Sequence, residues 1–238
     1  MTSPALQKLM DLLFPPRCLV CGAAGEPLCQ SCRKGLRAVE ERACPFCGRG
    51  KALCRCDYGK DFLFERTVSQ WYYTESGAAL IQNFKFKARK DAYDLVLGPA
   101  FESRVLREYG GLGADYIVPV PMYRGEARRR GFCHAEYIAR SLGKAMGIPV
   151  REGLLLQSRK KLPQHSLKGK ARAENVRGIY QTSDRADGDC VLLVDDIATS
   201  FATLGECAGA LRSAGADRVL CAVPMTAAPL VREVHPQE

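Results

Sequence analysis

Residues 190–204, CVLLVDDIATSFATL, place two adjacent carboxylates, Asp195 and Asp196, directly after an apolar run and just before a row of small and hydroxyl residues. Two neighbouring carboxylates accept hydrogen bonds from a vicinal diol or hold Mg2+ through water. Thr199, Ser200, Ala202 and Thr203 then form the turn into a helix, where open backbone N–H groups, hydroxyls and the positive helix end suit a phosphate. A diol site running into a phosphate site describes a 5-phosphoribosyl group. Nucleotide hydrolases also end an apolar strand in two acids, but that chemistry needs a G-x-x-x-x-G-K-[ST] loop, and the chain contains none.

A second constellation is made of cysteines. Eight of the 12 lie between Cys18 and Cys56, as Cys18-x2-Cys21 with Cys29-x2-Cys32, then Cys44-x2-Cys47 with Cys54-x-Cys56. Two knuckles of paired thiolates complete a tetrahedral zinc site, and a four-cysteine zinc leaves no position open for catalysis. Zn2+ is therefore expected to fold this segment, which has little apolar content of its own. The Cys54-x-Cys56 spacing is tighter than a usual knuckle. Ligands paired in sequence or interleaved both fit the pattern, and disulfides are the rival reading. Cys190, Cys207 and Cys221 lie on apolar elements and read as core. His134 and His165 read as surface or loop residues. Cys133, next to His134 and just after three arginines, raises the question of a nucleophile.

The elements that must position these residues follow from apolar periodicity. Strands are expected at 67–74, 115–121, 191–196 and 217–225, and helices at 76–86, 91–107, 134–147 and 203–215, with Gly98-Pro99 kinking or splitting the second helix. Strands alternating with helices imply a mostly parallel sheet, and ligands of such sheets bind at the C-terminal strand ends, where Asp195 and Asp196 fall. Residues 158–177, with seven basic residues and no apolar period, read as a long mobile loop. Residues 5–14 read as a short amphipathic helix that docks on the protein.

The composition, 47% hydrophobic and 26% charged over 238 residues, implies a packed core in two units with a boundary near residue 58. Neither a secretory leader nor an 18-residue apolar run is present, so the expectation is a cytosolic protein with no membrane span. The net charge of +9 points to anionic partners, and the basic residues gather in FKFKARK (84–90), YRGEARRR (123–130) and SRKKLPQHSLKGKAR (158–172).

VLLVDDIATSFATL resembles the phosphoribosyl pyrophosphate motif of type I phosphoribosyltransferases. The order of cysteine module, VPVPMYRGEARRRGF, LPQHSLKGKARAENVRG and this motif is similar to the ComF family. The resemblance implies an α/β fold of the type I phosphoribosyltransferase kind over 59–238, preceded by an N-terminal helix and zinc-ribbon module over 1–58. It implies that Asp195 and Asp196 contact the ribose hydroxyls as the catalytic acids, and that Thr199, Ser200, Ala202 and Thr203 line the 5-phosphate pocket. Pro119 to Tyr123, with Arg124, would face pyrophosphate, whose charge Lys85, Lys87 and Arg130 would also meet. Gln164, Lys168, Arg172 and Asn175 would belong to a loop closing over the ligand. Cys18, Cys21, Cys29, Cys32, Cys44, Cys47, Cys54 and Cys56 would hold zinc, and Mg2+ would accompany the phosphoribosyl pyrophosphate.

In function the resemblance implies a factor of natural competence and DNA uptake that handles or regulates single-stranded DNA. A competence helicase or recombination proteins would be its partners. The alternative is an active transferase resembling amidophosphoribosyltransferases, with an unknown acceptor, since no residue is recognisable as a base reader or general base. Phe201 stands where the family usually has glycine, whose bare backbone can approach a phosphate with no side chain in the way, and this departure bears on ligand affinity. Cys133-His134 replaces the family's Asn-Gln pair.

Overall fold

The computed structural model describes residues 15–40, 44, 63–87, 89–159 and 178–227. The N-terminal part begins with a knuckle in which Cys18 N–H donates to Ala23 (2.7 Å) and Gly22 N–H to Cys18 (2.8 Å). Gly22 takes the left-handed conformation, φ 78°, that this tight turn requires. A short helix, α1 (Gln30–Lys34), follows, with Cys29 at its N-cap.

The main body alternates strand and helix. Strand β1 (Arg66–Tyr72) leads to α2 (Glu75–Phe86), then a π-helical turn over Tyr93–Leu97 running into α3 (Gly98–Tyr109). The expected helix over 91–107 is not split at Gly98-Pro99: it runs on without a break, and the irregularity it carries is the π-helical turn that ends just before Gly98. A Cβ on Gly98 would stand 2.8 Å from the Tyr93 ring, so glycine is what lets that buried ring lie against the helix start. Next come β2 (Tyr116–Pro119), α4 (Arg124–Arg130) and α5 (His134–Met146). A two-stranded antiparallel ribbon, β3 (Leu155–Gln157) with β4 (Tyr180–Thr182), precedes β5 (Cys190–Val194) and β6 (Ile197–Ala198). Helix α6 (Ala202–Ser213) and β7 (Arg218–Thr226) complete the described chain.

The main sheet is parallel in the order β1-β7-β5-β2, with β6 pairing the far end of β7. Its central strands are buried on both faces, which explains their continuous apolar runs. Val191, Leu193, Val219 and Cys221 face a core with Leu204, Cys207 and Leu211 of α6. Leu192, Val194, Leu220 and Ala222 face the opposite core with Phe84 of α2, Phe101 of α3 and Ile138 and Leu142 of α5. Cys190, Cys207 and Cys221 are buried core residues, as expected.

The cysteine segment is fastened to this body. Residues 37–39 lie antiparallel along β1, with Val39 N–H donating to Gln70 and Tyr72 N–H to Arg37, both at 2.8 Å. Arg104 of α3, 5% exposed, donates to the carbonyls of Val39 and Glu40. Thr74 caps α2 by accepting from Gly77 N–H and donates its own proton to Gly35 O at 2.7 Å. Among the described residues no helix is long and apolar enough to cross a membrane.

Candidate functional site

Strand β5 ends at Val194, beside Pro119 at the end of β2, and Val120 N–H donates to Val194 O at 2.8 Å. The acid pair therefore sits at the C-terminal edge of the sheet, next to residues 119–124. There the two acids part company. Asp195 lines a cavity of about 350 Å3 and accepts from the Asp196 N–H at 2.8 Å. Asp196 is buried: its Oδ1 lies 2.8 Å from Lys85 Nζ and its Oδ2 3.4 Å from His134 Nδ1.

After the acids, β6 pairs with β7, and Thr226 donates its hydroxyl proton to Ala198 O at 3.2 Å. The chain then turns through Thr199 and Ser200 into α6. Thr199, Ser200 and Thr203 line the cavity with Asp195, Lys85 and Gln82. Ala202 turns instead into the core under α6. The rest of the wall is apolar, with Ile81, Ile197 and Leu204, and with Tyr73 and Phe86 partly exposed.

Phe201 makes this turn with φ 58°, the one non-glycine residue at positive φ among the described residues. Its side chain is 4% exposed and packed in the core beneath α6, so it forms part of the cavity floor. The backbone there takes the left-handed conformation that glycine would accept freely, and burial of the ring offsets the cost.

His134 is likewise not a surface or loop residue. It opens α5, is 2% exposed, and its Nε2 lies 3.0 Å from the Lys85 carbonyl. Phe84 and Phe132 pack edge-on against its ring, with centroids 5.6 and 5.0 Å away. Sequence reasoning missed it because one histidine carries no spacing signal. The Cys133 thiol is buried, and burial pushes it up to about 12 with Asp195, Asp196 and Glu136 nearby, so a reactive thiolate is not what this environment makes.

The basic residues divide. Lys85 is in the cavity wall, while Lys87 is exposed at the end of α2 and Arg124 is exposed at the start of α4 on the neighbouring strand end. The segment with Gln164, Lys168, Arg172 and Asn175, the N-terminal helix at 5–14, and Cys47, Cys54 and Cys56 lie outside the described residues, as does the side chain of Arg130.

The first cysteine quartet does come together. The sulfurs of Cys18, Cys21, Cys29 and Cys32 lie within 4.8 Å of one another, with Cys21 and Cys29 at 3.7 Å. Four Zn–S bonds of about 2.3 Å in a tetrahedron set sulfurs about 3.8 Å apart, so the group fits a structural zinc. Burial pushes the Cys18 thiol up, but backbone N–H groups of Cys21, Cys29 and Val20 outweigh it and hold the thiol down at about 6. Those amides favour the thiolate that a metal needs.

Comparisons with known proteins bear on the same features. Residues 9–60 match the family described as the double zinc ribbon domain. Over 87% of its length the chain is 26% identical to competence protein F of Haemophilus influenzae, covering 95% of that protein. The chain is thus similar to ComF-type competence proteins. It is 28% identical to competence protein ComFC of Bacillus subtilis over 75% of each chain, and 29% identical to the DNA utilization protein YhgH of Salmonella typhi over 87% of this chain and 96% of that one. Among solved structures it is similar to the glutamine phosphoribosylpyrophosphate amidotransferase of B. subtilis, with a TM-score of 0.39 at 20% identity, over 60% of this chain and 30% of that one. It is also similar to a purine phosphoribosyltransferase of Pyrococcus horikoshii, with a TM-score of 0.33 at 19% identity, over 53% of this chain and 69% of that one.

Proposed function

We propose that this chain is a cytosolic factor of natural competence and DNA uptake that binds a phosphoribosyl ligand and handles or regulates single-stranded DNA. A zinc-ribbon module over 1–58 and a phosphoribosyltransferase-like body over 59–238 are its two parts. The observation that carries the ligand reading is the cavity at the C-terminal edge of a parallel sheet, where Asp195, Lys85 and the hydroxyls of Thr199, Ser200 and Thr203 share one wall. In this reading Asp195 accepts from the ribose hydroxyls, and the start of α6 takes the 5-phosphate through hydroxyls and backbone N–H groups. Arg124, Arg130, Lys87 and the segment around Gln164, Lys168, Arg172 and Asn175 meet the pyrophosphate or a DNA backbone. Mg2+ would enter with the pyrophosphate, whose oxygens supply its ligands, because Asp196 is already held by Lys85 and His134.

The DNA reading rests on the names of the relatives, competence and DNA utilization proteins, and on the net charge of +9. Fluorescence anisotropy of a labelled single-stranded oligonucleotide across a salt series tests it. Backbone binding predicts a log-log slope of about −0.7 for each phosphate neutralised. Absence of binding at low salt would end the DNA reading and leave the phosphoribosyl site to be judged alone.

A further inference from the structure

His134, Asp196 and Lys85 come from three separate elements, and their contacts close on themselves. The Lys85 ammonium is held by Asp196 Oδ1 at 2.8 Å, Asp196 Oδ2 is 3.4 Å from His134 Nδ1, and His134 Nε2 is 3.0 Å from the Lys85 backbone carbonyl. We propose that His134 is a positioning residue: by gripping Asp196 and the Lys85 main chain together, it fixes where the Lys85 ammonium stands in the cavity wall.

The chemistry of the donors supports this. A carbonyl and a carboxylate only accept, so both nitrogens of His134 face acceptors, a pattern that the doubly protonated ring satisfies. A lysine side chain otherwise has a long flexible stem and strays among many rotamers. Here one end is fixed through its carbonyl and the other through Asp196, while Phe84 and Phe132 fix the plane of the imidazole between them. The second acid of the motif thereby serves as an internal counter-ion, and Lys85 meets an incoming anion already oriented. The role in anion binding rests on the phosphoribosyl reading above, whereas the positioning of Lys85 does not.

The test uses the zinc-loaded full chain and three forms: wild type, His134→Leu, which fills the buried space without donors, and His134→Asn, which keeps an amide donor near the place of Nδ1. Lysines are trace-labelled with acetic anhydride, and acetylation of Lys85 is read by mass spectrometry against the exposed Lys144. Positioning by His134 predicts that Lys85 labelling rises about fivefold or more in His134→Leu and stays within about twofold of wild type in His134→Asn. Unchanged labelling in His134→Leu would overturn the proposal. Should His134→Leu fail to fold, His134→Met, apolar and of similar length, takes its place under the same criterion: raised Lys85 labelling supports the proposal and unchanged labelling overturns it. Calorimetry with phosphoribosyl pyrophosphate on the same proteins separates the two readings. Binding weakened about tenfold in His134→Leu and restored in His134→Asn supports the positioning role. Equal affinity in all three overturns that role at the ligand. Failure of wild type to bind defeats the phosphoribosyl reading, with the labelling still deciding what His134 does to Lys85.

Discussion

Adjacent in sequence, Asp195 and Asp196 are opposite in environment, and that difference sets their mutational consequences. Asp196 is a mostly buried partner of Lys85 and His134, so Asp196→Asn leaves the Lys85 ammonium without its counter-charge and weakens the acceptor that faces His134. Breaking a buried pair in this way costs about 3 kcal/mol, which chemical denaturation would read as a lower midpoint at unchanged slope. Asp195→Asn keeps an oxygen to accept from the Asp196 N–H and is expected to stay within about 0.5 kcal/mol of wild type. Equal stability losses in the two variants would contradict the division of labour. The pair itself and the hydroxyl run were legible in the sequence because their chemistry is contiguous. The split between them was not, since it depends on Lys85 and His134 arriving from α2 and α5. Phe201 shows the same limit: the sequence gives its identity, but only the packed turn gives the direction of its ring.

At the scale of elements, long periodic segments were readable and short ones were not. The helix expected at 134–147 is α5 at His134–Met146, and the strand expected at 217–225 is β7 at Arg218–Thr226, because burial of one helix face or both strand faces writes itself into apolar spacing. The ribbon of β3 and β4 has three residues in each strand, too few to establish an alternation, and α4, RGEARRR, has no apolar stripe. The fastening of the cysteine segment was equally invisible, since it runs through carbonyls that every residue possesses. Arg104 supplies the side chain for it, through Val39 and Glu40. Arg104→Met should cost about 2 kcal/mol, chiefly by leaving the buried Val39 carbonyl unpaired, and it should speed tryptic cleavage after Arg37 in limited digestion. A cleavage rate equal to wild type would show that residues 37–40 are held by the strand pairing alone.

For the whole molecule, the arrangement joins a cysteine cluster built for a structural metal to a parallel sheet whose edge carries a ligand-sized cavity. The similarity to the curated relatives runs over 87% of this chain and 95% or 96% of theirs, so it spans both the cysteine cluster and the sheet. Net positive charge favours the approach of anions of any kind, and the cavity is the feature that would discriminate among them. The most direct measurement is a calorimetric titration of phosphoribosyl pyrophosphate with Mg2+ into the zinc-loaded protein, beside Asp195→Asn. The phosphoribosyl site predicts saturable one-to-one binding by wild type, weakened about tenfold or more in Asp195→Asn at unchanged stability. Absence of heat from wild type, or the same affinity in both proteins, would contradict it.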